Sequence, residues 1–157
     1  MLYDAFKVAT IPAQEQSFRQ AVRQLASEYV QKMSYCERAR SWMGFSAEFS
    51  RLLAQQNWLG LTIPKQYGGA ERGYFSRFIM SEELLCAGAP VSAHWIADRQ
   101  SGPLILRYGT EEQKQFYLPK ICRAEAFFCI GMSEPNSGSD LASIRTRATK
   151  NESGWLL

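Results

Sequence analysis

The chain has 157 residues, 46% of them hydrophobic and 21% charged, with a formal net charge of +3. That is enough for one domain, or one and a part, around a real core, and it excludes a disordered chain. The mild charge, with no basic stripe interleaved with aromatics, excludes a nucleic-acid groove, and no apolar run is long enough to span a bilayer.

Met1 to Thr10 mixes Asp4 and Lys7 with a few apolar residues and lacks the charged and apolar regions of a signal peptide, so a cytoplasmic protein is expected. Cys36, Cys86, Cys122 and Cys129 form no C-x-x-C pair, and the chain has one histidine. Neither a metal site nor a disulfide framework is expected, and the four cysteines read as small apolar core residues.

The first helix opens at Ile11-Pro12, where proline suits a first turn. Phe18, Val22, Leu25, Tyr29 and Met33 follow at steps of three and four and make its apolar face. Arg19, Arg23, Glu28 and Lys32 make a solvated face. Cys36 to Gly44 is polar and reads as a connection. Ser46 is the N-cap of the second helix, with Phe49, Leu52 and Leu53 on its buried side. That helix ends near Asn57. Gly60 to Pro64 is extended, since Pro64 disfavours helix at Ile63, and Tyr67-Gly68-Gly69 is a tight turn.

The third helix runs from about Tyr74 to Cys86, with Phe75, Phe78, Ile79 and Leu85 expected to be buried. Glu82 and Glu83 are adjacent and so point about 100° apart on a helix. They read as structural or solvated rather than as a catalytic pair. Gly88-Ala89-Pro90 breaks the chain. The fourth helix carries Val91, Trp95 and Ile96, then Asp98, Arg99 and Gln100, and Gly102-Pro103 interrupts or kinks it. Thr110 and Gln113 form a capping box at the start of the fifth helix, with Glu111 and Glu112 favoured by the helix dipole. Phe116, Leu118, Ile121 and Cys122 are expected to face the core.

After Glu125 the period changes. Ala126 to Met132 reads as a short strand. Then Ser133-Glu134-Pro135-Asn136-Ser137-Gly138-Ser139-Asp140 flips to turn formers. Successive N–H groups in such a turn can hold an anion, with serine hydroxyls as further donors; the same composition also suits a plain connection. Arg145 to Lys150 alternates as a half-exposed strand does. Asn151 to Gly154 is a turn, and Trp155-Leu156-Leu157 starts another strand.

Met132 to Asp140, with Thr146 and Ala148 following, resembles the flavin-binding signature of the acyl-CoA dehydrogenase family. Two further stretches match that family in order: Trp58-Leu59-Gly60-Leu61 through Pro64 to Tyr67-Gly68-Gly69, and Tyr108 to Lys114 followed by Tyr117-Leu118-Pro119. Together the motifs cover the chain from about Gln14 to its end. The implied fold is mostly α. An N-terminal helical bundle of acyl-CoA dehydrogenase type spans residues 1–125, followed at 126–157 by the first strands of a truncated β-barrel-like domain.

The resemblance implies an FAD-dependent oxidoreductase acting on CH–CH groups, which introduces an α,β double bond into an acyl-CoA thioester while the flavin takes the hydride. It places Met132 and Ser133 against the flavin ring system, and Gly138 and Ser139 near the pyrophosphate and the CoA-side substrate entrance. It makes His94, Trp95 and Arg99 candidates for the wall of the acyl cleft. The family's catalytic glutamate lies in a C-terminal bundle, so no catalytic residue is nominated in this chain, which is expected to be inactive alone. Glu134 is expected to fix the turn. The resemblance also implies an electron-transfer flavoprotein or similar acceptor as partner, and a homo- or hetero-oligomer. An acyl-CoA oxidase or flavin-dependent monooxygenase of the same superfamily, or a non-catalytic helical interaction module, are the alternative functions.

Overall fold

The computed structural model describes residues 10–157. The expectation for the leading residues, Met1 to Ala9, lies outside the described residues. A single 3₁₀ turn at Ala13–Glu15 enters α1 (Gln16–Val30). The chain continues through α2 (Tyr35–Arg40), α3 (Ala47–Gln55), α4 (Tyr74–Ala87) and α5 (Ser92–Ile96). A π-helical turn at Ala97–Ser101 joins α5 to α6 (Gly102–Tyr108), and α7 (Glu111–Cys122) completes the helices.

Two apolar clusters hold them together. The larger joins Phe18, Val22, Ala26 and Val30 of α1 to Phe49 and Leu53 of α3, Ile79, Met80 and Leu84 of α4, and Trp95. On α1 the buried stripe runs at strict steps of four, while Leu25 and Tyr29 are only half-buried. The smaller cluster packs Leu118, Ile121 and Cys122 of α7 on Ile63, Tyr67 and Ala97. Burial of such side chains supplies the main driving force of folding.

Local chemistry sets the helix ends. Ser46 accepts from the Phe49 N–H at 3.0 Å, as its N-cap reading required. Thr110 and Gln113 form the expected capping box. Another box, Ser34 with Glu37, starts α2 inside the stretch read as a connection. Gly68, at φ +81°, closes the turn after Tyr67 in the left-handed region.

Several expectations change. Phe75 and Phe78 are exposed, because α4 turns Ile79, Met80, Glu83 and Leu84 inward instead. Phe116 is exposed on α7. Cys36, Cys86 and Cys129 are exposed; only Cys122 is a core thiol, and burial pushes it up to about 12. Arg19 and Arg23 are not merely solvated but bind Glu83 across the α1–α4 contact.

Residues 125–133 form no strand. Their Phe127 and Phe128 pack edge-on against Phe45 and Tyr117, at centroid separations of 5.7 and 5.9 Å. A strand needs a neighbour to take its backbone groups, and none is described beside this segment. The sheet consists of β1 (Thr149–Asn151) and β2 (Gly154–Leu156), antiparallel, with Lys150 opposite Trp155. Asn151 Oδ1 accepts from the Ser153 N–H and hydroxyl within the turn. The architecture is thus mostly helical, with a short β-hairpin at the end. No described helix is long and apolar enough to cross a membrane.

Candidate functional site

The serine-glycine stretch is a locked turn. Glu134 and Ser137 exchange both backbone hydrogen bonds, at 2.8 and 3.1 Å. The buried Ser137 hydroxyl donates to the Asp140 carbonyl at 2.7 Å, and the Ser143 hydroxyl donates to the same carbonyl at 2.9 Å. The Glu134 carboxylate accepts from the Arg145 N–H at 2.9 Å and from the Thr146 N–H at 2.7 Å. It also takes the Thr146 hydroxyl. These donors hold its carboxyl below the ordinary range, the Thr146 hydroxyl contributing most. One anion of this turn is therefore supplied by the chain itself, and Glu134 does the fixing expected of it.

The rim of the turn is unused. Met132 is exposed, and so are Ser133, Gly138 and Ser139. A Cβ on Gly138 would meet nothing within 4 Å, so a ligand has open access there. The Ser133 and Ser139 hydroxyls and the Gly138 and Ser139 N–H groups make no hydrogen bond among the described residues. Free hydroxyls and N–H groups on an open turn fit the phosphate oxygens and ring carbonyls of a flavin nucleotide. Ser137 belongs to the scaffold and not to this rim.

A second concavity lies between α4 and the α5–π segment. It is a groove of about 390 Å³, walled by Trp42, Tyr74, Phe78, Leu85 and Trp95, with Arg77, Ser81 and Arg99 at polar positions. Its size falls in the range of small-molecule sites. Trp42 and Trp95 meet at 4.4 Å between centroids, and the Arg99 guanidinium stands 4.8 Å from the Trp95 ring centroid. The π-helical turn brings this about: its wider winding, at a position where a kink was expected before Pro103, sets Asp98 inward and Arg99 outward.

The structure separates His94 from its expected companions. Trp95 and Arg99 line the groove; His94 does not. Its ring is buried, its Nδ1 lies 2.9 Å from the Ser50 hydroxyl, and its Nε2 has no partner. Ser50 donates to the Ser46 carbonyl at 3.0 Å, so Nδ1–H is the group that donates to Ser50. Burial lowers the imidazole to about 4, which keeps it neutral. His94 shares a void of about 10 Å³ with Asp98, Arg77 and Trp95, too small for anything beyond a single water.

Asp98 is a residue that sequence reading passed over. It is buried, accepts from the Gly60 N–H at 2.6 Å, and is raised to about 6 by burial. It pins the Trp58 to Leu61 motif to the groove helix, a long-range pairing that no local pattern announces. No cluster of metal-ligating side chains occurs among the described residues.

Residues 12–125 match the model of the acyl-CoA dehydrogenase N-terminal domain. The chain is 39% identical over 105 residues to the acyl-CoA dehydrogenase FadE26 of Mycobacterium tuberculosis, covering 67% of this chain and 26% of that protein. It superposes on the Tcur3481-Tcur3483 steroid ACAD with a TM-score of 0.78 at 31% identity, over 94% of this chain and 38% of that one. A glutaryl-CoA dehydrogenase from Mycobacterium smegmatis in complex with FADH2 gives a TM-score of 0.65 at 26% identity, over 87% of this chain and 36% of that one. The chain thus spans roughly a quarter to two fifths of the length of these relatives. It belongs to the acyl-CoA dehydrogenase family.

Proposed function

We propose that these residues supply the acyl-groove wall and the first flavin-facing turn of an FAD-dependent acyl-CoA dehydrogenase. The observation that carries this reading is the turn itself: Glu134 locks it from within, while Met132, Ser133, Gly138 and Ser139 stay exposed with their donors unused. A turn that only connected two elements would have no need of so rigid a scaffold under an idle rim.

The chemistry divides accordingly. Flavin, when bound, accepts the hydride that leaves the acyl β-carbon. Ser133, through its hydroxyl, and Met132 would hold the flavin ring system. Gly138 and Ser139 would offer N–H groups to phosphate oxygens and to the CoA entrance. Trp95 and Arg99 line the acyl groove beside its aromatic walls. Of the residues first grouped there, His94 acts only behind the groove, as a neutral core residue holding α5 to α3 through Ser50.

Of the carboxylates on α4 and the π-helical turn, none is free to accept the α-proton. Glu82 is exposed beside Arg19, and Glu83 is consumed by Arg19 and Arg23. Asp98 is committed to Gly60. As the family resemblance implies, the base is supplied by a separate domain or subunit, residues 1–125 and 126–157 being two parts of a larger active unit. That unit is a homo- or hetero-oligomer, and it passes its electrons to an electron-transfer flavoprotein or a similar acceptor. The test is turnover of acyl-CoA thioesters with an artificial electron acceptor. The 157 residues alone are expected to give none. Measurable turnover by the purified chain contradicts the division of roles.

A further inference from the structure

The groove carries more donors than a hydrocarbon chain can use. Trp42, Tyr74, Phe78 and Leu85 supply apolar wall enough for an alkyl or ring system. Beside them stand two cationic donors, Arg99 and Arg77. The Trp95 Nε1–H is buried away from the groove surface, so Trp95 offers the groove its ring and not its N–H. Arg99 has no carboxylate partner among the described residues, and its guanidinium is packed over the Trp95 ring, 4.8 Å from the centroid. Stacking occupies a face of the guanidinium and leaves its N–H edge free in the plane. Arg77 packs 5.3 Å from the Tyr74 ring centroid, and the field of the buried Asp98 partly answers its charge. Arg99 has no such counterweight.

A plain alkyl group in this groove would bury the guanidinium edge against carbon, and donors without acceptors cost free energy. An acyl group with an oxygen acceptor removes that cost. We propose that this groove selects acyl groups bearing a carbonyl or carboxylate oxygen away from the thioester, and that Arg99, held on the Trp95 ring, is the specificity-determining residue. This rests on the acyl-CoA reading above. Arg99 does no chemistry; it chooses the substrate by what its far part can accept.

The test uses the protein isolated from its own cells with whatever polypeptides accompany it. Octanoyl-CoA, 7-oxooctanoyl-CoA and suberyl-CoA, matched in length, are titrated by calorimetry. The native protein is expected to bind the ketone or the carboxylate at least about tenfold more tightly than octanoyl-CoA, the discrimination of one good charge-assisted hydrogen bond. Arg99→Met is expected to bring the affinities of the oxygen-bearing probes down to that of octanoyl-CoA, with helical circular dichroism unchanged. Arg99→Lys, which keeps the charge, is expected to retain a weaker preference for the carboxylate. Equal binding of all three by the native protein, or an undiminished preference in Arg99→Met, overturns this inference and leaves the dehydrogenase reading standing. Binding of none overturns both.

Discussion

Glu134 and Thr146 are joined twice: the carboxylate accepts the Thr146 N–H at 2.7 Å and takes its hydroxyl as well. The two residues lie twelve positions apart, and this contact closes the chain between them into a loop. With Arg145 it holds the carboxyl below its ordinary value. Such a carboxylate stabilises the turn fully above the ordinary value of about 4.3 and loses that effect as pH falls through the lower folded value. Glu134→Gln replaces one acceptor oxygen with an N–H₂ that opposes the Arg145 and Thr146 donors. Faster amide exchange at these two residues, with helical content unchanged, is the expected outcome by NMR.

His94 and Asp98 drive stability in opposite directions in acid. His94 is lowered to about 4 from about 6.5, so the unfolded chain binds the extra proton and stability falls as pH drops through that window. Asp98 is raised to about 6 from about 3.8, so the folded chain binds the extra proton and stability rises over nearly the same window. Each amounts to about 3 kcal/mol by the shift alone. Asp98→Asn keeps the acceptor for Gly60 and removes one side of the balance. Urea denaturation is expected to show Asp98→Asn losing about 3 kcal/mol more than the parent between pH 6.5 and 4.

Glu83 is buried and binds Arg23 through both its oxygens, at 2.7 and 2.9 Å, with Arg19 on the same carboxylate. Arg23 lowers its pKa most. Glu83→Ala leaves Arg19 and Arg23, one turn apart on α1, without the α4 carboxylate they share. A loss of about 2 kcal/mol is expected in chemical denaturation, since hydrogen bonds to charged groups carry about 1.5–3 kcal/mol. Glu82→Ala, at the exposed neighbour, is expected to cost far less.

Gly69 has no room for a side chain. A Cβ there would lie 2.0 Å from the Ile63 carbonyl oxygen, a backbone atom that cannot rotate away. Gly69→Ala is expected to cost about 3 kcal/mol, at the upper end for overpacking, and Gly138→Ala almost nothing, as the space beside Gly138 is open. Thermal melts of the two variants check the contrast. Gly138→Ala retains its stability even where the rim loses its ligand.

Short-range chemistry was legible in the sequence, and long-range pairing was not. Ser46 and the Thr110–Gln113 box cap helices because their partners lie three residues away. The Ser34–Glu37 box obeys the same rule, and the polar stretch beyond it hid the short α2. Phe75 and Phe78 misled because aromatic character does not say which way a helix is turned; packing of Ile79 and Met80 on α1 decides that. Residues 126–132 have a strand's composition without a strand's neighbours. On the candidate site, Trp95 and Arg99 share the groove, but His94, next in chain to Trp95, points into the core to meet Ser50. Adjacent helical residues point about 100° apart, so not all of His94, Trp95 and Arg99 could face one groove.

The central claim is that these residues work as one piece of a flavin-carrying dehydrogenase. Native mass spectrometry of the protein from its own cells tests it most directly, because length, partner subunits and bound flavin are read together. The account predicts a species well above the 17.8 kDa of this chain, carrying FAD. A lone, flavin-free species at the chain mass contradicts it.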